Sequence, residues 1–187
     1  MLTVITGPMF SGKTSRLISL IDSNIIADMG TLIFKPSNDT RYDATNMIKT
    51  HSGRYSPAMA VDKNKPMDIL SCLLNYETEQ FNVNTVAIDE VQFFKPDVIC
   101  QLVNHLLFIE KRHVIVAGLS NDFEGKPFGA MPNLLSMADE IISLKAVCAK
   151  CKKINGATRT YRKSDSKEQT VVGGAETYEP RCFDCWK

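Results

Sequence analysis

The eight residues Gly7-Pro8-Met9-Phe10-Ser11-Gly12-Lys13-Thr14 constrain this chain more than any other stretch, because they fit the pattern G-x-x-x-x-G-K-[ST]. They follow a short β-branched apolar run, Leu2–Thr6, and open a segment with helical spacing, Lys13–Ala27. Strand, glycine-bounded turn and helix in that order make a phosphate cradle. The glycines let the backbone wrap phosphate oxygens, and successive N–H groups at the helix N-terminus supply partial positive charge. In such a loop Lys13 reaches the β and γ phosphates and the Thr14 hydroxyl holds Mg²⁺. The first expectation is therefore an ATP-type nucleotide site formed by Gly7, Pro8, Met9, Phe10, Ser11, Gly12, Lys13 and Thr14.

Further short apolar runs at Thr31–Phe34, Thr85–Ile88, Val114–Leu119 and Glu140–Leu144 read as strands. Asp68–Tyr76 and Asp97–Ile109, with Pro66 and Pro96 near their starts, read as helices. Strands alternating with helices imply an α/β fold with a parallel sheet covered on both faces. Residues 36–62 and 157–180 are rich in Asp, Asn, Gly, Ser, Thr and Lys and read as two long loops of the kind that usually serve function. The chain has 187 residues, 44% of them hydrophobic, enough for one ordinary core and a small appendage. The expected division is a nucleotide-binding domain over residues 1–145 and a smaller unit over 146–187.

Charge narrows the partners. With 22 basic and 21 acidic side chains the formal net charge is +1, so no global field recruits nucleic acid or an anionic membrane, and phosphate recognition must be local. Met1 runs straight into Leu2-Thr3-Val4-Ile5 without a basic segment or cleavage site, and the longest apolar runs are too short for a bilayer. A cytoplasmic setting is the expectation.

Val86-Ala87-Ile88-Asp89-Glu90 is an apolar strand ending in two carboxylates. Adjacent strand residues point to opposite sides, so the pair divides its work. Asp89 suits Mg²⁺ held through water, and Glu90 suits removal of a proton from an attacking hydroxyl or water. An Asp-Glu pair after a strand is also often a plain solvated turn; the phosphate loop upstream favours the functional reading.

Cys148-x2-Cys151 and Cys182-x2-Cys185, separated by thirty residues, have the spacing of two thiolate knuckles closing a tetrahedral site. Four protein ligands leave no open position, so the expected zinc is structural and clamps both ends of the 152–181 loop. Cys72 and Cys100 fall within expected helices and read as small core residues. His51, His105 and His113 show no partner pattern.

In order along nearly the whole chain, Gly7–Thr14, Asp89-Glu90-Val91-Gln92-Phe93-Phe94, Lys126-Pro127-Phe128-Gly129, the paired cysteines and Val172-Gly173-Gly174 ahead of Tyr178 resemble the type II, zinc-containing thymidine kinases. The resemblance implies a RecA-like P-loop domain and a C-terminal zinc ribbon carrying a lasso loop. The activity it implies is transfer of the ATP γ-phosphate to the thymidine 5′-hydroxyl, giving dTMP in pyrimidine deoxynucleotide salvage. By the same resemblance Glu90 falls on the catalytic base, and Lys13 and Arg41 serve the transfer. Asp39, Thr40 and Arg41 form a second phosphate-contacting segment, and Asp89, Glu90, Val91 and Gln92 belong to the ATP site. Met9, Phe93, Leu119, Phe123 and Phe128 line the thymine pocket. Gln169, Thr170, Val171, Val172 and Gly173 form the lasso that meets the base through main-chain groups, and Tyr178 contacts the nucleoside. Feedback inhibition by dTTP and a homotetramer are further implications. Aromatic walls suit a flat, apolar-faced base, although any single Phe here also reads as core packing. Ser120-Asn121 depart from the family's usual Asp followed by a small residue.

Two other readings fit part of the pattern. A P-loop ATPase acting on nucleic acid would use Glu90 to activate water, but it lacks a basic stripe here and room for a second motor domain. A zinc-stabilised nucleotide switch would leave Glu90 dispensable.

Overall fold

In the computed structural model, residues 1–37, 46–50, 53–77, 82–165, 168–171 and 173–187 are described. Strand β1 (Leu2–Thr6) is buried along its whole length, and its alternating side chains feed two cores. After the glycine-bounded loop come helix α1 (Lys13–Ile26) and strand β2 (Gly30–Pro36). Next are the short strands β3 (Met47–Lys49), β4 (Tyr55–Pro57) and β5 (Met59–Val61), then helix α2 (Asp68–Tyr76) and strand β6 (Val83–Ile88). A single 3₁₀ turn, Val91–Phe93, leads into helix α3 (Pro96–Asn104), which relaxes into a π turn over His105–Ile109 before strand β7 (His113–Gly118). Helix α4 (Met131–Met137) and strand β8 (Glu140–Ser143) complete the sheet region. The chain ends in strands β9 (Arg159–Arg162) and β10 (Tyr178–Arg181) and one helical turn, α5 (Phe183–Trp186).

Among the described residues, six strands form one sheet in the order β5-β2-β6-β7-β1-β8, every neighbouring pair parallel. Leu2 and Val4 point into one core with Val86, Ile88, Val114 and Val116, closed by Ile69, Leu73, Ile99, Leu102 and Leu134 from α2, α3 and α4. Ile5 points into the other, with Leu17, Ile18 and Ile21 of α1 and Ile48 of β3. Each such fully buried aliphatic side chain contributes about 1.5–3 kcal/mol, which explains why near-continuous apolar runs, rather than alternating ones, mark these strands. Thr6 lies beside Gly118 and Ser143 in register, and Ile88 beside Val116, so β1, β6, β7 and β8 all end at one edge. That edge, at the carboxyl ends of parallel strands, is where open α/β sheets bind ligands.

The two stretches expected as loops carry structure. In 36–62, β3 and β4 pair antiparallel and β5 joins the sheet edge beside β2. In 157–180, β9 and β10 pair antiparallel. Strands of three or four residues are too short for alternation to show above composition. The expected helix 97–109 ends early, at Asn104, where the wider π turn takes over. No helix of the described residues is long and apolar enough to cross a membrane.

Candidate functional site

The loop after β1 turns into α1 at Gly12, whose left-handed φ of 85° suits glycine. No side chain of the described residues caps the start of α1, the end of the helix that carries the partial positive charge an anion would meet. Lys13 is buried, and its ammonium donates to the carbonyl of Pro8 at 3.0 Å, which holds the side chain back along its own loop. The Thr14 hydroxyl donates to Asp89 Oδ2 at 2.9 Å, joining the phosphate loop to the end of β6. Asp89 is 4% exposed; burial, and then the negative charge of Glu90, push its carboxyl up to about 7. Glu90 takes the left-handed conformation (φ 51°, ψ 39°) and turns the chain out of the sheet.

These groups face an open cleft of about 560 Å³ lined by Phe10, Gly12, Lys13, Thr14 and Glu90, with Lys49 and Thr50 from the end of β3 on its far side. Lys49 and Thr50 were not singled out in the sequence, because they sit in a stretch that reads as loop. Val91 and Gln92 do not line this cleft: both are buried, Val91 in the apolar core and Gln92 between Glu90 and Leu119. Asp39, Thr40 and Arg41 lie outside the described residues, as do His51 and Val172.

Next to the cleft is a second pocket, about 360 Å³, which gathers Met9, Phe93, Leu119, Phe123, Phe128, Gln169, Thr170, Val171 and Tyr178. Phe93 and Phe128 meet edge to face, with ring centroids 5.6 Å apart and planes at 88°. Gly173 does not line the pocket; it is buried against Thr177. Met9 and Leu119 line both cavities and so form a wall common to the two.

The pocket also holds Asn121, one of the two residues that depart from the family pattern, and three residues the sequence reading missed: Asp122, Thr160 and Arg162. Thr160 and Arg162 alternate with Arg159 and Tyr161 on β9, which turns the first two inward. Thr160 Oγ1 accepts the N–H of Met9 at 3.0 Å and so anchors the phosphate loop to β9. Arg162 is 5% exposed and stacks 3.6 Å from the Phe123 ring. It donates to the carbonyls of Glu168 and Gln169 and to the Tyr178 hydroxyl, and Tyr178 in turn donates to the carbonyl of Val171 at 2.8 Å. Asp122 organises its own turn by accepting the N–H groups of Glu124 and Lys126, both at 2.9 Å. Its second oxygen accepts Gln169 Nε2 at 2.8 Å. Segment 168–171 is thus strapped across the pocket by side chains from three other elements.

Behind β9 the sulfurs of Cys148, Cys151, Cys182 and Cys185 lie within 4.8 Å of one another, and Cys151 and Cys182 are 3.7 Å apart. A zinc ion with Zn–S bonds of ~2.3 Å needs sulfurs about 3.8 Å apart, so the donor set fits. N–H groups of Cys151 and Cys182 aimed at the Cys148 sulfur hold its thiol down at about 6, whereas the hydrogen bond to Cys182, and then burial, push the Cys185 thiol up to about 12. Trp186, next to this cluster, donates its indole N–H to the carbonyl of Thr160 at 3.0 Å and packs on Gly125. Cys72 and Cys100 lie partly buried against the sheet core. His105 pairs with Glu110, and His113 with Thr3, both away from the two cavities.

The comparisons with known proteins agree on one family. The thymidine kinase family model matches residues 1–186. A thymidine kinase of Coprothermobacter proteolyticus is 43% identical, with 97% of this chain and 87% of that protein covered. Those of Pyrobaculum aerophilum (39% identical; 97% of this chain and 96% of that protein covered) and Mesomycoplasma hyopneumoniae (38%; 97% and 92%) are likewise similar to this chain. A kinase with a phosphate loop, a carboxylate pair and a strapped apolar pocket on one sheet edge, this chain belongs to the thymidine kinase family.

Proposed function

We propose that the chain transfers the γ-phosphate of ATP to the 5′-hydroxyl of thymidine, giving dTMP and ADP for pyrimidine deoxynucleotide salvage. The observation that carries this reading is the shared wall. Met9 and Leu119 belong to both the phosphate cleft and the apolar pocket, and Glu90 lines the cleft beside them. A thymine enclosed by Phe93, Phe123 and Phe128 would present its sugar toward that junction, with the base edges toward residues 169–171.

In the transfer the 5′-oxygen forms a bond to Pγ as the bond from Pγ to the bridging oxygen of ADP breaks, and Glu90 accepts the hydroxyl proton. Lys13, with Arg41 of the second segment, neutralises charge on the transferring group. Thr14 and Asp89 would hold Mg²⁺, which supplies further charge neutralisation on the phosphates. Zinc in the four-cysteine site is structural. Residues 1–145 serve as the nucleotide-binding kinase domain, and 146–187 as a ribbon whose strap closes the nucleoside pocket. Feedback inhibition by dTTP belongs to the same proposal: its thymine would take the apolar pocket and its phosphates the cleft beyond Met9 and Leu119. A homotetramer in the cytoplasm completes the proposal; Ile25 and Ile26 at the end of α1, 58% and 84% exposed, offer apolar surface for assembly.

The test is a coupled phosphorylation assay of the purified chain with ATP, Mg²⁺ and a panel of nucleosides. ATP consumption should follow thymidine. Consumption that follows a polynucleotide, or that ignores thymidine, overturns the proposal.

A further inference from the structure

We infer that Gln92 is the positioning residue for the Glu90 carboxylate, fixing its aim and referring it to the wall of the nucleoside pocket. The inference rests on reading Glu90 as the proton acceptor.

Glu90 leaves the sheet in a left-handed conformation, and Val91–Phe93 coil into one 3₁₀ turn behind it, with Phe93 N–H donating to the Glu90 carbonyl at 3.1 Å. That turn carries Gln92 back under the site, where it is 2% exposed. Its amide bonds at both ends. Oε1 accepts the N–H of Leu119 at 3.1 Å, and Nε2 donates to Glu90 Oε2 at 2.5 Å. The orientation is forced, because a main-chain N–H only donates: the oxygen must face Leu119 and the NH₂ must face the carboxylate.

Both anchors are stiff. Glu90 closely follows β6 and Leu119 directly follows β7, and those strands are paired in register, with Ile88 beside Val116. Space for the amide is kept by glycine. A Cβ on Gly118 would sit 2.6 Å from Gln92 Oε1, and one on Gly129 would run into the Gln92 main chain. A glutamine placed only to satisfy the Leu119 N–H would need its oxygen alone. The short bond from its NH₂ to a half-buried carboxylate is the additional feature, and bonds to charged groups are the stronger kind. Leu119 lines both cavities, so the amide spans from the pocket wall to the reacting carboxylate. A carboxylate free to swing through ~1 Å loses up to about a hundredfold in rate, while substrate binding by other groups continues.

Steady-state kinetics of the full chain with thymidine and ATP test this through Gln92→Met, close in volume and without the amide, and Gln92→Glu, which keeps an acceptor for Leu119 but no NH₂. In both, kcat should fall by about ten- to a hundredfold, with both KM values within about threefold of the parent. In a Glu90→Gln background the Gln92→Met change should cost less than about threefold more, because the group it aims is already gone. If Gln92→Met fails to fold, Gln92→Glu alone carries the same comparison. Near-normal kcat in both variants beside a crippled Glu90→Gln would overturn this inference alone, as would a full further tenfold loss in the Glu90→Gln background. Near-normal turnover of Glu90→Gln by itself would overturn the base reading and this inference with it.

Discussion

At the phosphate cleft, the groups to which our proposal gives the chemistry sit where strands stop: Lys13 and Thr14 one loop beyond β1, Asp89 and Glu90 directly after β6. Their places follow from a buried parallel sheet whose register cannot slip without moving every core side chain. At the adjoining pocket, the strap 168–171 has no strand of its own. It is held by Arg162, Tyr178 and Asp122, and its ends run back to β9 and β10, which abut the four cysteines. One half of the site is therefore placed by main chain and the other by side-chain ties. Substitutions in the first half should remove chemistry, and those in the second should loosen nucleoside binding while leaving chemistry nearly intact.

The largest effect expected is for Lys13→Ala. Transfer should fall by about three orders of magnitude or more with the melting temperature little changed, since charge at the transferring phosphate is lost while the sheet is untouched. Single-turnover phosphate transfer measures it, and a loss smaller than about tenfold would erase the contrast. Next comes Arg162→Met, which removes the donors to Glu168, Gln169 and Tyr178. Charge-assisted bonds of about 1.5–3 kcal/mol translate into a thymidine KM raised by about ten- to a hundredfold, with the ATP KM and kcat within about threefold.

Cys182→Ser should lower zinc content from about one ion per chain to below half and raise the thymidine KM by roughly tenfold, with first proteolytic cuts in 146–187. Metal analysis and limited digestion read both, and full zinc retention would break the assignment. Smallest is Gln169→Ala, which gives up one hydrogen bond to the Asp122 carboxylate; Gln169 is exposed and water competes for the bond, which lowers its worth to about 0.5–1.5 kcal/mol, so the thymidine KM should rise about two- to tenfold. A change in kcat instead of KM there would mean that the strap takes part in the chemistry, and the division into two halves would fail.

Legibility in the sequence follows the same division. The strand, phosphate loop and helix of 2–26 are contiguous, as are the strand and carboxylates of 83–90 and each cysteine pair, so local pattern reaches them. The strap's ties are not contiguous. Arg162 meets Phe123 across thirty-nine positions and Asp122 meets Gln169 across 47, and neither pair leaves a local trace. Arg162 also runs against the usual expectation that arginine faces water. The motif Asp89-Glu90-Val91-Gln92 reads as one unit, yet a single left-handed residue splits it: Glu90 lines the cleft beside the buried Asp89, and Val91 and Gln92 turn into the interior. Backbone conformation of that kind in a non-glycine residue is not written in composition.

The chain has one tryptophan, and its position gives the molecule an optical reporter. Trp186 packs on Gly125 in the turn that Asp122 organises, bonds to Thr160 of β9, and follows Cys185 directly. Its emission therefore originates from a single spot beside both the strap's clasp and the four-cysteine cluster. Were the strap to close over a nucleoside, or the cysteines to release a metal ion, the event would be readable as an intensity or wavelength change in unlabelled protein, with no background from a second indole.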